Sequence, residues 1–348
     1  MPLRRLKLHD FSAFHLSELE LVDGLNVFVG ANGTGKTHVL KVMYSLVEAV
    51  RSDTPLASKL AGVFKPEDNH IGRLARRVHG LSTAKVSLHA DGQGSTSFEL
   101  HTKGKLNHSV RAWKEGAPAV FLPSREILAM YEGFIAAYKE RELSFDETYY
   151  DACVRLNANP TKGARKLQAD EILARLQLAL GGHVELSGPR FYVKFHGDKA
   201  RMEAHLVAEG LRKIASLERL LLNGSLIKNG FLFWDEPEAN LNPRLTVVIA
   251  DVLGILASMG IQIFLSTHDF LLARRLSVKA TLPDQPSTRF FAFNRPSIGA
   301  PVEVHHGSQL SELPSNPMEE EFARHYDLEL SLMGVGGATP GVAGGKQP

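Results

Sequence analysis

The chain has 348 residues, 44% of them hydrophobic and 22% charged, which is an ordinary globular composition with enough apolar mass for one to three domains. A net charge of +2 excludes a global basic field of the kind that marks a general nucleic-acid binder, although local patches stay open. The single cysteine, Cys153, excludes an internal disulfide and a cysteine-based zinc site, so a reducing cytoplasm is the expected compartment. The charged N-terminus is not followed by an apolar core segment, so no signal peptide is expected. The long apolar stretch at 245–266 contains Asp251, Gly254 and Gly260 and splits into a buried helix and a strand, so it is not expected to span a membrane.

A first strand is expected over 3–8. Residues 16–22 and 25–29 flank Asp23-Gly24, which predicts a hairpin. Phe11 and Phe14 lie between these strands and serve either as core or as a stacking face for a base. Next comes Gly30-Ala31-Asn32-Gly33-Thr34-Gly35-Lys36-Thr37, the phosphate-loop pattern, preceded by a short apolar run and followed by apolar residues at helical spacing. Gly30, Gly33 and Gly35 let backbone N–H groups, including that of Asn32, curl around phosphate oxygens at a helix N-terminus. Lys36 would reach the β- and γ-phosphates, and the Thr37 hydroxyl would bind Mg²⁺.

Residues 51–80 read as irregular or helical, with Arg73, Arg76 and Arg77 at helical spacing as a solvated face or a partner contact. Segments 85–90 and 97–102 form a second hairpin around Asp91-Gly92, a small β subdomain. A buried strand at 119–122 leads into Ser124-Arg125-Glu126, which either faces a ligand at the strand end or starts a helix with Ser124 as cap. Residues 126–180 read as helical, interrupted near 157–163, and a hairpin follows at 183–195. An apolar helix spans 206–222.

The strand at 231–234 runs into Asp235-Glu236. Asp235 at the strand end would hold Mg²⁺, usually through water, and Glu236 would polarise a water aimed at the γ-phosphate, which points to ATP hydrolysis. A helix at 245–258 and a strand at 261–265 follow, ending at His268, placed to hydrogen-bond the γ-phosphate. A last strand pair is expected at 289–293 and 302–305, then a helix at 317–332 and a Gly-rich disordered tail at 334–348.

Together these residues resemble the ABC-type ATPase clan, in the branch that holds RecF, SMC heads and small bacterial AAA-labelled ATPases. The likeness rests on the Walker A at 30–37, the Walker B at 231–236, a D-loop at 238–242 and a switch histidine at 268, and covers roughly 1–50 and 205–270. It implies an α/β head with an antiparallel β subdomain and a helical insertion. The expected parts are an ATPase N-terminal lobe at 1–124, the insertion at 125–200, a C-terminal lobe at 201–310, the terminal helix at 311–333 and the tail. The signature loop departs from the clan: Ala208-Glu209-Gly210 stands where Ser-Gly-Gly is usual, leaving Gly210 and its N–H for the usual role, with Arg212 or Lys213 as a source of charge for phosphate. Glu126 is the candidate for the missing Q-loop glutamine.

The resemblance further implies a homodimer with two sandwiched ATPs, ATP and Mg²⁺ as cofactors, and hydrolysis that drives something else. The 170 or so residues between Thr37 and Ala208 are too few for an SMC coiled coil, and the roughly 80 after His268 too few for a Toprim nuclease domain. Three classes stay open: an ATPase regulating a separate nuclease or toxin in phage defence, a RecF-like DNA-repair ATPase, and a slow ATP-gated scaffold or sensor.

Overall fold

The computed structural model describes residues 2–77, 81–113, 117–140, 143–161, 170–297, 299–314 and 317–333. The sequence-predicted tail at 334–348 lies outside them.

Strands β1 (Leu3–Phe11), β2 (Phe14–Glu20), β4 (Thr83–Ala90), β5 (Ser95–His101) and β6 (Leu106–Arg111) form an antiparallel sheet in the order β2-β1-β4-β5-β6. The expected hairpin at 85–102 is therefore part of a five-stranded sheet. Strands β3 (Leu25–Gly30), β7 (Ala119–Leu122), β11 (Phe231–Asp235), β12 (Gln262–Thr267), β13 (Thr288–Asn294) and β14 (Glu303–Gly307) form a second sheet in the order β14-β13-β3-β12-β11-β7. All its pairs are parallel except the edge pair β13–β14.

The parallel strands are buried on both faces, and their side chains sort by the period of two. Phe28, Phe121, Phe233, Phe264 and Phe291 point to one side, into a core shared with helix α1 (Lys36–Ser52) and the antiparallel sheet. Val27, Val29, Val120, Leu232, Trp234, Ile263 and Leu265 point to the other, into a core built with helices α4 (Glu147–Asn157), α5 (Asp170–Leu180), α6 (Glu209–Leu222), α7 (Pro243–Ser258) and α8 (Phe270–Ala280). Helices α2 (Leu56–Phe64) and α3 (Phe134–Glu140) complete the connections, and α9 (Pro317–Leu332) is the exposed terminal helix. A small sheet of β8 (Gly182–Ser187), β9 (Arg190–Phe195) and β10 (Met202–Glu203) extends the helical side. Among the described residues no helix is long and apolar enough to cross a membrane.

Several expectations change. Asp23-Gly24 joins the two sheets and makes no hairpin: β2 pairs with β1, while β3 runs between β12 and β13. The burial pattern explains this, since β2 has exposed positions and suits a one-sided sheet, whereas every residue of β3 is buried. Gly24 is glycine because a Cβ there would lie 2.2 Å from the Ser287 carbonyl oxygen. Arg73, Arg76 and Arg77 share no helix face: Arg73 ends a single 3₁₀ turn and pairs with Glu67 at 2.5 Å, and the chain is extended from Ala75, which bridges to Phe11. Ser124 caps no helix. Instead the Glu126 carboxylate accepts from the N–H groups of Leu128 and Ala129 in a turn. Helix α8 goes unforeseen in the sequence, although Asp269 caps it by accepting from Leu272 N–H at 2.7 Å.

Candidate nucleotide site

The eight-residue loop runs from the end of β3 to the start of α1 as its spacing requires. Gly30 has φ 145° and a Cβ on it would lie 2.4 Å from the Phe293 carbonyl oxygen of β13. Gly35 has φ 88° and a Cβ there would meet the Phe14 ring at 2.9 Å. Both positions therefore demand glycine for conformation and for space. No side chain caps the first turn of α1 and no acidic residue sits in it, so its leading N–H groups stay free for an anion. Thr34 Oγ1 donates to the Ala31 carbonyl at 2.8 Å and stiffens the loop.

Lys36 is only 6% exposed, and its ammonium donates to the carbonyls of Gly30 (2.8 Å) and Ala31 (2.9 Å). Burial lowers its pKa, against the pull of Glu236, Asp235 and Glu238. It lines a cleft of about 560 Å³ with Asn32, Gly33, Gly35, Thr37 and Glu236.

Parallel pairing carries the second carboxylate strand to the loop. Thr37 Oγ1 lies 2.9 and 3.1 Å from the two Asp235 oxygens, and Ser266, opposite Asp235 in the β11–β12 register, donates to Oδ1. Burial raises the Asp235 pKa, and the hydrogen bonds from Ser266 and Thr37 oppose the rise. A hydroxyl and one buried carboxylate are hard oxygen donors, which fits Mg²⁺ bound mainly through phosphate and water oxygens. Among the described residues no group of three or more His, Cys, Asp or Glu is arranged to hold a metal ion by side chains alone.

Glu236 is held with φ 48°, its N–H donating to the Ser266 carbonyl at 3.0 Å. Its Oε1 lies 3.2 Å from His268 Nδ1. Glu238, almost fully buried, fixes the histidine from below: its Oε1 accepts from Thr267 Oγ1 (2.7 Å) and from the His268 N–H (3.1 Å). Burial raises the Glu238 pKa, against those bonds. Loop, Asp235, Glu236 and His268 thus converge on one site.

Gly210 does not line that cleft. It sits in the first turn of α6, against Leu241, Leu245 and the Asn240 carbonyl. The two cations after it are hydrogen-bonded within the chain. Arg212 Nε donates to Glu126 at 2.5 Å and its Nη1 to the Val207 carbonyl at 2.5 Å. Lys213 is 4% exposed and donates to the Ala239 carbonyl at 2.7 Å. Glu126 accordingly serves as the Arg212 partner. Phe11 and Phe14 are both 0% exposed, so neither offers a face to a base; Phe14 packs edge-on against Phe293. The sequence reading missed Ser12, Ala13, His38 and Arg295, which also line the cleft. Only the register of β13 beside β3, which sets Phe293 opposite Gly30, brings Arg295 there.

Residues 25–274 match the family described as "AAA domain, putative AbiEii toxin, Type IV TA system". The chain is also similar to the DNA replication and repair protein RecF of Pectobacterium atrosepticum, 50% identical over 111 residues, and to that of Glaesserella parasuis, 29% identical over 110 residues. These matches cover 32% of this chain and 29% of the length of each RecF. Among solved structures, the chain resembles an SMC head bound to the C-winged helix domain of ScpA, with TM-score 0.55 and 14% identity over 90% of this chain and 99% of that one. The SMC head domain from Thermotoga maritima gives TM-score 0.50 and 15% identity over 87% and 98%. At such identity these two show a shared fold alone. Together with the loop and carboxylate geometry, the family match over most of the chain places this protein in the AAA-domain, AbiEii-like family of ABC-type, RecF- and SMC-like P-loop ATPases.

Proposed function

We propose that the protein binds ATP with Mg²⁺ in the cleft above the Gly30 to Thr37 loop and hydrolyses it, with Glu236 as the general base. The observation that carries this reading is the meeting of Glu236 and His268, 3.2 Å apart, at a cleft that also holds Lys36 and Thr37. Lys36 would leave its two carbonyls for the β- and γ-phosphates, and Thr37 with Asp235 would hold Mg²⁺. The metal supplies charge neutralisation on the phosphate oxygens. The Glu236 carboxylate takes a proton from water as that oxygen attacks the γ-phosphorus and ADP leaves. His268, oriented by Glu238, donates to the γ-phosphate or to Glu236 and so registers whether the phosphate is present. Glu236→Gln keeps the shape and removes the base: turnover should fall by about 10²-fold or more with nucleotide affinity kept, and normal hydrolysis by this variant would defeat the assignment.

In this reading ATP closes a cytoplasmic homodimer, with the Gly210 N–H of one copy facing the nucleotide of the other, and the closure regulates a separate nuclease or toxin, as in antiphage defence. The family description, "AAA domain, putative AbiEii toxin, Type IV TA system", supports a toxin–antitoxin setting and attaches the toxin label to a domain of this kind, while the separate effector rests on this proposal alone. A RecF-like role in DNA repair is the second reading, supported by the 50% identity over 111 residues to the Pectobacterium RecF. Hydrolysis stimulated by DNA, with binding lost steeply as salt rises, would select it. Co-purification of an effector and indifference to DNA would select the first.

A further inference from the structure

We infer that Arg295 is the platform for the nucleotide base, its guanidinium plane stacking on the base where an aromatic ring would otherwise stand. The inference rests on the nucleotide reading above and adds the residue that holds the base end.

The cleft has two ends. Asn32, Gly33, Gly35, Lys36 and Thr37 make the phosphate end, with Glu236 beside them. Ser12, Ala13, His38 and Arg295 line the rest, with Ala13 lying against Gly35, and these come from the β1–β2 turn, the first turn of α1 and the segment after β13. That part is a built wall. Ser12 has φ 54° and its N–H donates to the Leu74 carbonyl at 2.7 Å, while the Ala13 carbonyl accepts from Val302 N–H at 2.9 Å. The turn is thus tied on one side to the 3₁₀ turn at Ile71–Leu74 and on the other to the loop that carries Arg295.

A base needs a flat partner there. Phe11 and Phe14 are sealed in the core, and among the described residues no Phe, Tyr or Trp lines the cleft. The planar cyclic or delocalised groups at this end are His38 and Arg295. His38 is anchored within the chain, its Nδ1 hydrogen-bonded to Ser12 Oγ and its ring edge-on to the Phe64 ring at 69° with centroids 5.5 Å apart, which fixes the ring without covering both faces. Arg295 is exposed, and among the described residues it has no ion-pair or hydrogen-bond partner. A guanidinium is flat, weakly hydrated and stacks readily on π-faces. Its position follows from the fold, since Phe293 is in register with Gly30 and Arg295 lies two residues past it, at the carboxyl end of a parallel strand where ligands bind.

The test is calorimetric binding of the non-hydrolysable analogue AMP-PNP, and separately of inorganic tripolyphosphate, to the full chain with Mg²⁺. Arg295→Ala should weaken AMP-PNP about tenfold and leave tripolyphosphate unchanged. Arg295→Tyr should restore AMP-PNP affinity because it restores a plane, and Arg295→Lys should not, because it restores only charge. Unchanged AMP-PNP affinity in Arg295→Ala overturns the inference. So does a parallel loss of both ligands, or rescue by Lys and not Tyr, either of which would make Arg295 a phosphate contact. Lys36→Ala run alongside separates the two levels: if it leaves AMP-PNP and tripolyphosphate binding intact, the nucleotide reading itself falls, whereas loss there with an indifferent Arg295→Ala removes only the base platform.

Discussion

Lys213 is the clearest place to test how the loop bearing Glu236 is held. Its ammonium is 4% exposed and donates to the Ala239 carbonyl at 2.7 Å, with the Glu236 carbonyl at 3.5 Å. Burial lowers its pKa, and Glu209, Glu238, Glu126 and Glu236 pull it back up. Lys213→Met keeps most of the stem and removes the charge. A charged hydrogen bond of this kind contributes roughly 1.5–3 kcal/mol. Part of that is offset, because the variant no longer buries an ammonium and because the half-buried Ala239 leaves its carbonyl within reach of water. A net loss of about 1 kcal/mol lowers the melting temperature of a chain this long by only ~1–2 °C. The functional loss is larger. Glu236 keeps a left-handed φ of 48° only while its neighbours hold it, and relaxing it moves the carboxylate off its water. Displacement on the scale of 1 Å costs about 10²-fold in rate. Steady-state ATP hydrolysis should therefore show kcat down about ten- to a hundredfold with KM little changed, since the Lys36 loop is untouched. Unchanged turnover together with lost ATP-dependent dimerisation would refute the reasoning, for it would put the ammonium on a partner's phosphate.

Three further outcomes follow from the geometry. Because burial raises the Asp235 pKa, its carboxylate protonates at a higher pH than an ordinary aspartate, so Mg²⁺-dependent nucleotide binding should fade on acidification before an ordinary aspartate would protonate. The sign for stability is opposite: a raised folded-state pKa favours the protonated fold, so the contribution of this group is present at low pH and lost as pH rises through that pKa. Binding isotherms and melting curves across the same pH range check both, with Asp235→Asn flattening the binding profile. Gly210→Asp should spare ATP binding and abolish ATP-dependent dimerisation in light scattering. The added Cβ meets only the side-chain ends of Leu245 (2.9 Å) and Leu241 (3.0 Å), which can give way, and Gly210→Ala controls for that crowding. Phe14→Leu should lower stability by roughly 1–2 kcal/mol in thermal melts and leave AMP-PNP affinity within about twofold, since the ring packs against Phe293 and carries no base.

The site was legible where chemistry is contiguous. The Gly30 to Thr37 spacing and the apolar run into Asp235-Glu236 each carry their roles in a few adjacent residues, and the structure joins them through Thr37 and Asp235. What failed depends on contacts distant in sequence. Asp23-Gly24 has hairpin chemistry, but the choice of sheet follows from whether one or both faces of β3 are covered. Arg212 looked like a free cation beside a signature loop because Glu126, its partner, lies 86 residues away. Phe11 and Phe14 read as core in the first place and as a platform in the second, and the antiparallel sheet that closes over them decides for core. Helix α8 was missed although Asp269 and Leu272 form its cap, because its buried stripe of Leu272, Ala273, Leu276 and Ser277 is interrupted by two arginines.

The altered signature segment takes a different meaning from these contacts. Asn240 Nδ2 donates to Glu209 at 2.9 Å, Lys213 holds the Ala239 carbonyl, and Gly210 packs on Leu241 and Leu245. Segment 208–213 and the loop after β11 are therefore one packed block with Glu236 at its edge. A side chain at 210 would push on the ends of Leu241 and Leu245, and an acceptor at 213 would leave the Ala239 carbonyl unpaired. A second copy pressed against the start of α6 would therefore bear on residues 239–245, and on the Glu236 carbonyl through Lys213 at 3.5 Å. The loss of the usual serine removes one hydroxyl from that face but leaves these contacts whole, with Glu236 still bonded to the Ser266 carbonyl and 3.2 Å from His268.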